Sequence, residues 1–367
     1  MLKLSKDWES NYKKGINMES FLFTINAVLP IILCIVIGYG LKLLKIFPDS
    51  FWGTLNKLSF RLLLPLLLFK NIYDIKNISD VGTYWPVLLF SAVAIIVLFF
   101  IGLLIVKLFI PEDKQKGVVL QCIFRSNYAI IGIGLIELLA AGNETAKGIG
   151  AIISAVSIPL FNVLAIISLS IFIKDEGGNR PSPKEIIIKI CKNPLIIAVL
   201  TGLVFLAIKS LIIYANGFTY ANDVLVDSNG NKQSVFLEYN GVSFLYTTIK
   251  WLAACASPIA LIALGGGFKF SAIARLKKQI IIGTSIRIVL VPITVLIIAY
   301  FMGFNDIRYF PALICLFSTP VAVSSVPMAS EMNNDSELAG QLVVWTTILS
   351  SITLFLIIFT CAQIGIL

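Results

Sequence analysis

Residues 315–332 read CLFSTPVAVSSVPMASEM. They lie in an uncharged run, 309–330, that is long enough to cross the ~30 Å of hydrocarbon in a bilayer. The run nevertheless holds two prolines and five hydroxyl residues, which are Pro320, Pro327, Ser318, Thr319, Ser324, Ser325 and Ser330. Irregular backbone at membrane depth is tolerated only where it is buried in protein or lines a cavity. The stretch therefore predicts a broken membrane helix at a functional cavity.

The whole chain has the composition of a membrane protein. Of its 367 residues, 58% are hydrophobic and 13% are charged, with a mean hydropathy of +0.93; soluble chains average about 25% charged residues. Uncharged stretches of near or above the ~20 residues that span a bilayer recur along the chain, at 21–41, 81–106, 148–173, 251–268, 309–330 and 338–367. These features predict an all-α polytopic protein embedded in the lipid bilayer.

Composition and motifs disfavour several classes of function. The chain has no histidine, which excludes histidine-based catalysis, proton relays and metal ligation. Its six cysteines form no CxxC pair, so a disulfide framework or zinc site is not expected. No phosphate-binding loop or nucleophile elbow is present, and we expect neither an enzyme nor a cofactor or metal. The net charge of +9 fits lysines at cytoplasmic loop ends and does not call for a nucleic-acid partner.

Ten membrane spans are predicted from hydropathy, at 20–42, 49–70, 83–107, 117–140, 146–173, 186–210, 243–268, 274–303, 310–331 and 338–365. The loops after the odd-numbered spans carry more lysine and arginine than the loops after the even-numbered ones. The positive-inside rule then places both termini outside the cell membrane. The lysines of a polar N-terminal tail, residues 1–17, argue for the opposite orientation.

The spans contain an internal repeat. Pro30 and Gly38 of the first span have the same spacing as Pro194 and Gly202 of the sixth. Further matches pair Pro65 with Pro258, and CIFRSN (122–127) with CLFSTP (315–320). Chance is the alternative, because proline and glycine are common in membrane helices. Taken in order, the matches predict two five-helix halves of opposite topology, 18–173 and 186–366, joined by a cytoplasmic linker, 174–185; such inverted repeats are typical of secondary transporters.

The second half carries a polar insert, 215–242, which is predicted to lie on the outer side. Its stretch VLVDSNGNKQSVFLEY (224–239) has two β-type runs around Asn229 and Gly230. This pattern predicts a small hairpin, and a disordered loop is the alternative.

The candidate substrate site lies where the fourth and ninth spans are interrupted. Breaks at Asn127 and Pro320 would expose two half-helix N-termini, whose N–H groups and dipoles favour an anion. Asn127 either donates to a carboxylate or only caps the second half-helix. Arg125 either clamps a carboxylate, pairs with Glu137 or Glu331, or reaches the interface. The predicted substrate contacts are Asn127, Arg125, Pro320, Thr319, Ser318 and Tyr128, and the predicted hinge residues are Gly132, Gly134, Pro320 and Pro327.

The other polar residues of the spans have less specific roles. Arg61 and Arg287 are expected to form structural pairs, and the alternative for Arg61 is that its side chain snorkels to the membrane interface. Glu137 and Glu331 are the candidates for carrying a coupling proton. The hydroxyls of the ninth span either line a path for the solute or sodium, or bond the backbone that the prolines free.

Seven stretches together carry a family resemblance over about residues 18–366: LPIILCIVIGYGLK, LNKLSFRLLLPLLLFKNI, FRSNYAIIGIGL, KNPLIIAVLTGL, SPIALIALGGGF, STPVAVSSVP and DSELAGQLVVWTTILSSIT. In these the chain resembles the auxin efflux carrier family, which includes plant PIN-FORMED carriers and bacterial malate and malonate permeases. The resemblance implies ten helices in two inverted halves, similar to bile-acid symporters and sodium–proton antiporters. Helices 1, 2, 6 and 7 would form a scaffold, and helices 3–5 and 8–10 a mobile transport domain. The family also suggests a homodimer.

The resemblance also extends to single residues at the crossing of helices 4 and 9. Asn127 matches the crossover asparagine, Pro320 the crossover proline, Pro327 the second proline of helix 9, and Gly132 the glycine of the helix 4 motif. Gly134 departs from the pattern, because many members have proline there. Arg125 is not general to the family, so its role depends on the argument from its own chemistry.

These observations together predict a secondary transporter of small organic anions, with mono- or dicarboxylates such as malate as the leading class. We expect alternating access of the elevator type, with substrate at the helix 4 and 9 crossing. Coupling to Na⁺, to H⁺ or to neither is left open. The alternatives are a sodium- or proton-coupled antiporter of the same fold, an anion channel, or a ligand-sensing membrane protein.

Overall fold

The computed structural model describes residues 29–75, 84–140, 143–174, 182–221, 224–238 and 241–367. These ranges are mainly helical, and the helices in chain order are α1 (Leu29–Leu43), α2 (Ser50–Leu58), α3 (Leu64–Tyr73), α4 (Trp85–Phe109), α5 (Asp113–Phe124), α6 (Ile133–Leu139), α7 (Glu144–Ser170), α8 (Pro183–Cys191), α9 (Pro194–Ala215), α10 (Ser243–Gly267), α11 (Ser271–Arg275), α12 (Lys277–Ser285), α13 (Val291–Phe301), α14 (Phe310–Ser318), α15 (Ser325–Glu331) and α16 (Ser336–Gln363). Three π turns adjoin them, at Ser59–Leu63, Tyr128–Gly132 and Ile286–Leu290.

Six helical stretches of the described chain are long and apolar enough to cross a membrane: α4, α7, α9, α10, the continuous α12–α13 stretch, and α16. This confirms the predicted all-α polytopic membrane protein. The predicted tail, 1–17, and residues 175–181 of the predicted linker lie outside the described ranges.

Two π turns explain how proline sits within otherwise continuous helices. Pro65 follows the turn Ser59–Leu63, and Pro292 follows the turn Ile286–Leu290. Proline has no N–H to donate and its ring crowds the carbonyl four residues earlier. A π turn widens the helix at that point, so the chain passes the proline without ending.

The predicted sixth span, 186–210, is wrong at its start. The chain forms two helices here, α8 and α9, with a break at Lys192 and Asn193. Asn193 begins α9 because its side-chain oxygen accepts the N–H of Leu195 at 2.9 Å. Pro194 then takes the first helical position, where no N–H is needed. Ser182 and Glu185 begin α8 with a reciprocal capping box.

The contact between α1 and α10 is made by backbone. A methyl group added at Gly38 would lie 2.1 Å from the carbonyl oxygen of Ile262, and one at Gly265 would lie 2.0 Å from that of Ile35. Because no side chain fits at these distances, only glycine permits this crossing.

A second crossing, between α9 and α3, is built in the same way but less tightly. A methyl group at Gly202 would lie 3.3 Å from the carbonyl oxygen of Phe69. Phe69 follows Pro65 by four residues, as Ile262 follows Pro258. The glycines that pair in the sequence repeat therefore meet matching positions of α3 and α10.

The polar insert differs in part from the predicted hairpin. Strand β1 (Thr219–Ala221) pairs antiparallel with β2 (Val224–Val226). The turn at Asn229–Gly230 brings Lys232 back to Val226, and the N–H of Gln233 donates to the carbonyl of Leu225 at 2.8 Å. The second β-type run instead forms a short 3₁₀ helix, Phe236–Glu238. Its half-buried Phe236 ring packs against the aromatic rings of Tyr73 and Phe205.

A single carboxylate organises the turn that follows β2. Asp227 accepts hydrogen bonds from the backbone N–H groups of Asn231 and Asn229 and from the side chains of Asn231 and Gln233. These hydrogen bonds, led by the one from the Asn231 backbone, hold the pKa of the Asp227 carboxyl below its usual range.

The helices pack as two groups that meet along one face. In the first group α3 contacts α9 and α10, and α10 also contacts α2; the second group contains α4, α5, α7, α12, α14, α15 and α16. The candidate site lies where these groups meet.

Candidate functional site

The candidate site is built where two broken helices cross. Helix α5 ends at Phe124 and continues as extended backbone through Arg125; α14 ends at Ser318 and continues as extended backbone through Thr319. The two segments form an antiparallel bridge between Ser126 and Val321. The interruptions lie where the sequence predicted them.

The crossing satisfies its own backbone groups within the protein. The N–H of Asn127 donates to the carbonyl oxygen of Pro320 at 2.7 Å, and the N–H of Val321 donates to the Thr346 hydroxyl on α16 at 3.3 Å. Asn127 also begins the next half-helix, because its carbonyl accepts the N–H groups of Ile131 and Gly132 in the π turn. Irregular backbone at this depth is stable only with such partners.

A small cavity lies beside this crossing. Its lining combines both broken segments, α7, and the facing side of α3, α9 and α10, namely Leu64, Leu67, Leu68, Arg125, Ser126, Asn127, Ala129, Ile158, Phe161, Asn162, Leu195, Ser257, Ala260, Ala322, Val323 and Ser324. The volume is ≈ 50 Å³, room for roughly three or four water molecules. One wall is therefore polar and belongs to the crossing, whereas the other is largely apolar.

Arg125 is a buried cation with neutral partners. Arg125 is only 4% exposed. One terminal nitrogen of its guanidinium donates to Asn162 Oδ1 at 3.0 Å and to Ser324 Oγ at 2.8 Å. The other lies 2.8 Å from the sulfur of Met328. No carboxylate of the described side chains lies within ion-pair distance of it. A buried guanidinium without an acid is costly, and a carboxylate bound in the cavity would remove that cost.

Unused hydrogen-bond donors lie next to Arg125. The amide nitrogen of Asn127 and the hydroxyl of Ser126 are buried and have no hydrogen-bond partner, and both residues line the cavity. Asn127 Nδ2 is therefore free to donate to a ligand, and the capping interpretation, which would use Oδ1 as the acceptor, stays a prediction. The polar wall thus offers donors and a positive charge, which suits an oxyanion.

Arg287 lies on the far side of the crossing and is fully buried. It donates to the carbonyl oxygens of Thr319 (2.9 and 3.1 Å), Phe317 (2.9 Å), Ile123 (3.3 Å) and Leu316 (3.5 Å). These carbonyls belong to the C-terminal ends of α5 and α14. The predicted structural role of Arg287 therefore takes the form of bonds to backbone oxygens.

The remaining predicted contacts lie outside the cavity lining. The Tyr128 hydroxyl donates to the carbonyl of Gly150 at 2.9 Å, and the Thr319 hydroxyl donates to the carbonyl of Cys315 at 2.9 Å. Ser318 is fully buried with an unpaired hydroxyl, and Pro320 supplies its carbonyl to Asn127. A direct substrate contact from these four residues stays a prediction.

The predicted hinge residues lie in the half-helices beyond the crossing. Gly132 ends the π turn, and a methyl group there would lie 2.6 Å from the Tyr128 ring. Gly134 lies in α6 with open space around it. Pro327 lies in the first turn of α15, where a missing N–H has no cost, so it marks the restart of the helix.

Of the two acids predicted as proton carriers, the structure describes the side chain of Glu331 but not that of Glu137. Glu331 at the end of α15 pairs with Arg61 of the first π turn at 3.2 Å. Glu331 thus pairs with Arg61 and not with Arg125 in this structure, and the structural role of Arg61 stays a prediction. Glu137 lies in α6, but its side chain is outside the described part of the chain.

Sequence reasoning missed Asn162 and Ser257, which line the cavity from α7 and α10. Asn162 orients Arg125 with its oxygen, while its nitrogen donates to the carbonyl of Ile158 at 2.8 Å. The sequence did contain a signal for Asn162 as a site residue, because it is the only side-chain amide in the uncharged stretch 148–173.

Long apolar helices surround a polar crossing of two broken helices. This arrangement is that of a multi-pass membrane protein of the transporter class. The model of a family described as membrane transport protein matches residues 23–358. The chain therefore belongs to this family, the auxin efflux carriers, which confirms the resemblance seen in the sequence. Proteins of this family are transporters and not enzymes. A comparison with curated proteins gives no match.

Proposed function

We propose that the chain is a secondary transporter of small organic anions, with mono- or dicarboxylates such as malate as its substrates. The substrate binds at the crossing of the two broken helices, and transport follows alternating access of the elevator type. The observation that carries the proposal is Arg125, a buried guanidinium that lines the cavity with neutral partners in the described chain.

The chemistry of the cavity favours a carboxylate over a cation or a neutral solute. Arg125 can form paired hydrogen bonds to one carboxylate, and Asn127 Nδ2 is a further buried donor without a partner. A bound anion would satisfy both groups and neutralise the guanidinium. A cation would meet the positive charge of Arg125 instead.

Two inverted five-helix halves are the architecture that we propose. Its support is the matching of glycine contacts, Gly38 against Ile262 and Gly202 against Phe69, together with the antiparallel pairing of the two interruptions. The first half then ends with α7, and the second begins after the linker. This arrangement turns equivalent surfaces toward opposite sides of the membrane.

An elevator movement fits the two groups of helices. The group of α2, α3, α9 and α10, with α1, would be the scaffold, and the group that contains the crossing would be the mobile transport domain. The cavity of ≈ 50 Å³ is too small for malate, so the scaffold wall formed by Leu64, Leu67 and Leu195 has to separate from the crossing. The ion pair between Arg61 and Glu331 joins the two groups and has to rearrange with them.

The membrane context is also part of the proposal. We place the protein in the cell membrane with both termini outside, from the distribution of lysine and arginine. A homodimer would form through the scaffold, where α9 exposes large apolar side chains such as Leu200, Val204 and Leu211. The lipid bilayer covers the other apolar faces.

Counterflow tests the proposed function. Purified protein is reconstituted in liposomes loaded with unlabelled malate, and entry of labelled malate is followed. A carrier gives saturable uptake that rises with internal malate. Flux that neither saturates nor responds to internal substrate would indicate a channel, and binding without flux would indicate a sensor.

A further inference from the structure

Arg287 places a permanent positive charge against the ends of both broken helices. It belongs to the π turn Ile286–Leu290, is 0% exposed, and directs all its observed hydrogen bonds to carbonyl oxygens. One of these oxygens belongs to Ile123 near the end of α5, and the others lie at or just after the end of α14. Arg287 therefore links the two broken helices through carbonyl oxygens of both.

The oxygens that Arg287 binds are those that usually attract a small cation. The last carbonyls of a helix lack partners within the helix, and the C-terminal end carries a partial negative charge. In transporters with broken helices, such half-helix ends and unwound carbonyls coordinate Na⁺. Here two of these ends converge on a guanidinium.

We propose that the Arg287 guanidinium is a tethered cation that takes the place of a coupling sodium ion at the crossing. This inference rests on the proposed transport function and specifies its ion dependence. Substrate binding and transport then need no Na⁺ at this position, because the charge that stabilises the two helix ends is covalently attached to the protein.

The geometry makes the replacement specific. A guanidinium is planar, stays charged and has five donors in a fixed fork, which fits several carbonyls from two different helices. A sodium ion entering the same place would have to displace Arg287 from Thr319 and Phe317 and would then face its charge at short range. Unlike a sodium ion, the Arg287 guanidinium cannot leave with the substrate, so both broken helices stay joined to it during transport.

Sodium dependence of the substrate-free protein is the first test. The unfolding temperature of the purified wild type is measured in matched Na⁺, K⁺ and N-methylglucamine buffers. The proposal expects the same unfolding temperature in all three, and malate uptake that is equal in Na⁺ and K⁺. A selective rise in unfolding temperature with Na⁺, or uptake that requires Na⁺, would overturn it. Absence of any carboxylate uptake would count against the proposed function only, because the unfolding measurement uses no substrate.

Chemical rescue is the second test. In Arg287→Ala the unfolding temperature should fall by on the order of 10 °C, since a buried set of hydrogen bonds is broken. Methylguanidinium at millimolar concentration, or Na⁺, should restore part of this loss by occupying the vacated carbonyls. The matched control is Arg61→Ala. Arg61 belongs to the π turn Ser59–Leu63, is exposed and pairs with Glu331, and neither cation should stabilise this variant. An Arg287→Ala protein as stable and active as wild type would contradict the assignment, and if that variant does not fold, the wild-type sodium measurement decides.

Discussion

Arg125 and Asn162 are joined by a hydrogen bond of 3.0 Å from the guanidinium to the amide oxygen. The bond links the first broken helix to α7 and fixes the position of a buried charge. Because Asn162 also donates to the carbonyl of Ile158, its oxygen is held toward the arginine. The pair holds the guanidinium at the cavity, where the proposed substrate site requires a positive charge.

The Arg125–Asn162 pair predicts that a fixed carboxylate will compete with the substrate. Asn162→Asp keeps the side-chain shape but places a negative charge against Arg125, so the apparent affinity for malate should fall by at least ~10-fold, since the attached group acts at high effective concentration. Binding is measured by calorimetry. Asn162→Ala is the control, because it removes the hydrogen bond without adding charge and should have a milder effect. An Asp variant that binds malate like wild type would argue against this site.

Asn127→Ala should abolish uptake without loss of stability. Its amide nitrogen is buried and unpaired, so truncation breaks no hydrogen bond there, and the unfolding temperature should change by no more than about 2 °C. The matched control is Asn334→Ala, whose amide nitrogen donates to the carbonyls of Leu169 and Met332; that variant should lose roughly 1–3 kcal/mol of stability. Thermal unfolding and uptake are measured on the same preparations. Unchanged transport in Asn127→Ala would remove Asn127 from the site.

The α1–α10 crossing predicts a sharp dependence on glycine. Gly38→Ala and Gly265→Ala each push a methyl group against a backbone carbonyl at about 2 Å, and each should destabilise the protein by on the order of 1–3 kcal/mol. Gly40→Ala is the control in the same helix, because a methyl group there meets open space and alanine favours helix by up to ~1 kcal/mol. Thermal unfolding in one detergent distinguishes them. An equal loss of stability in Gly38→Ala and Gly40→Ala would mean that the backbones of α1 and α10 do not lie in contact at Gly38.

The Arg61–Glu331 pair should affect rate more than stability. Arg61 has a side chain that is 72% exposed, and such pairs contribute about 0–1 kcal/mol. Arg61→Glu should slow malate exchange by placing like charges between the two helix groups, and adding Glu331→Arg should restore it. Lys57→Glu makes the same charge change one turn earlier and should leave exchange unchanged. A double variant no better than Arg61→Glu would show that the pair does not act between moving parts.

The break positions were predictable because their causes are local. Proline at 320 cannot continue a helix, and an asparagine at 127 aligned with it in the repeat. The restart at Pro327 follows from the same chemistry. The break at Asn193–Pro194 was just as visible, but hydropathy alone merged α8 with α9.

The partners of the buried charges could not be read in the same way. Arg287 bonds to carbonyl oxygens that every residue has, so no sequence pattern marks them. Arg125 finds Asn162 and Ser324 through the packing of three separate helices. The Phe236 segment of the insert looked like a strand. Its packing against the rings of Tyr73 and Phe205 is a tertiary contact, which an alternating pattern of apolar residues does not reveal.

The affinity of Arg125→Gln for charged and neutral ligands tests the central claim most directly. Malate and its uncharged diamide are titrated into wild type and into Arg125→Gln by calorimetry. Because Arg125 provides the positive charge of the site, malate affinity should fall by roughly 10- to 100-fold, while binding of the diamide should change little. Equal losses for both ligands, or an unchanged affinity for malate, would contradict a carboxylate site at Arg125.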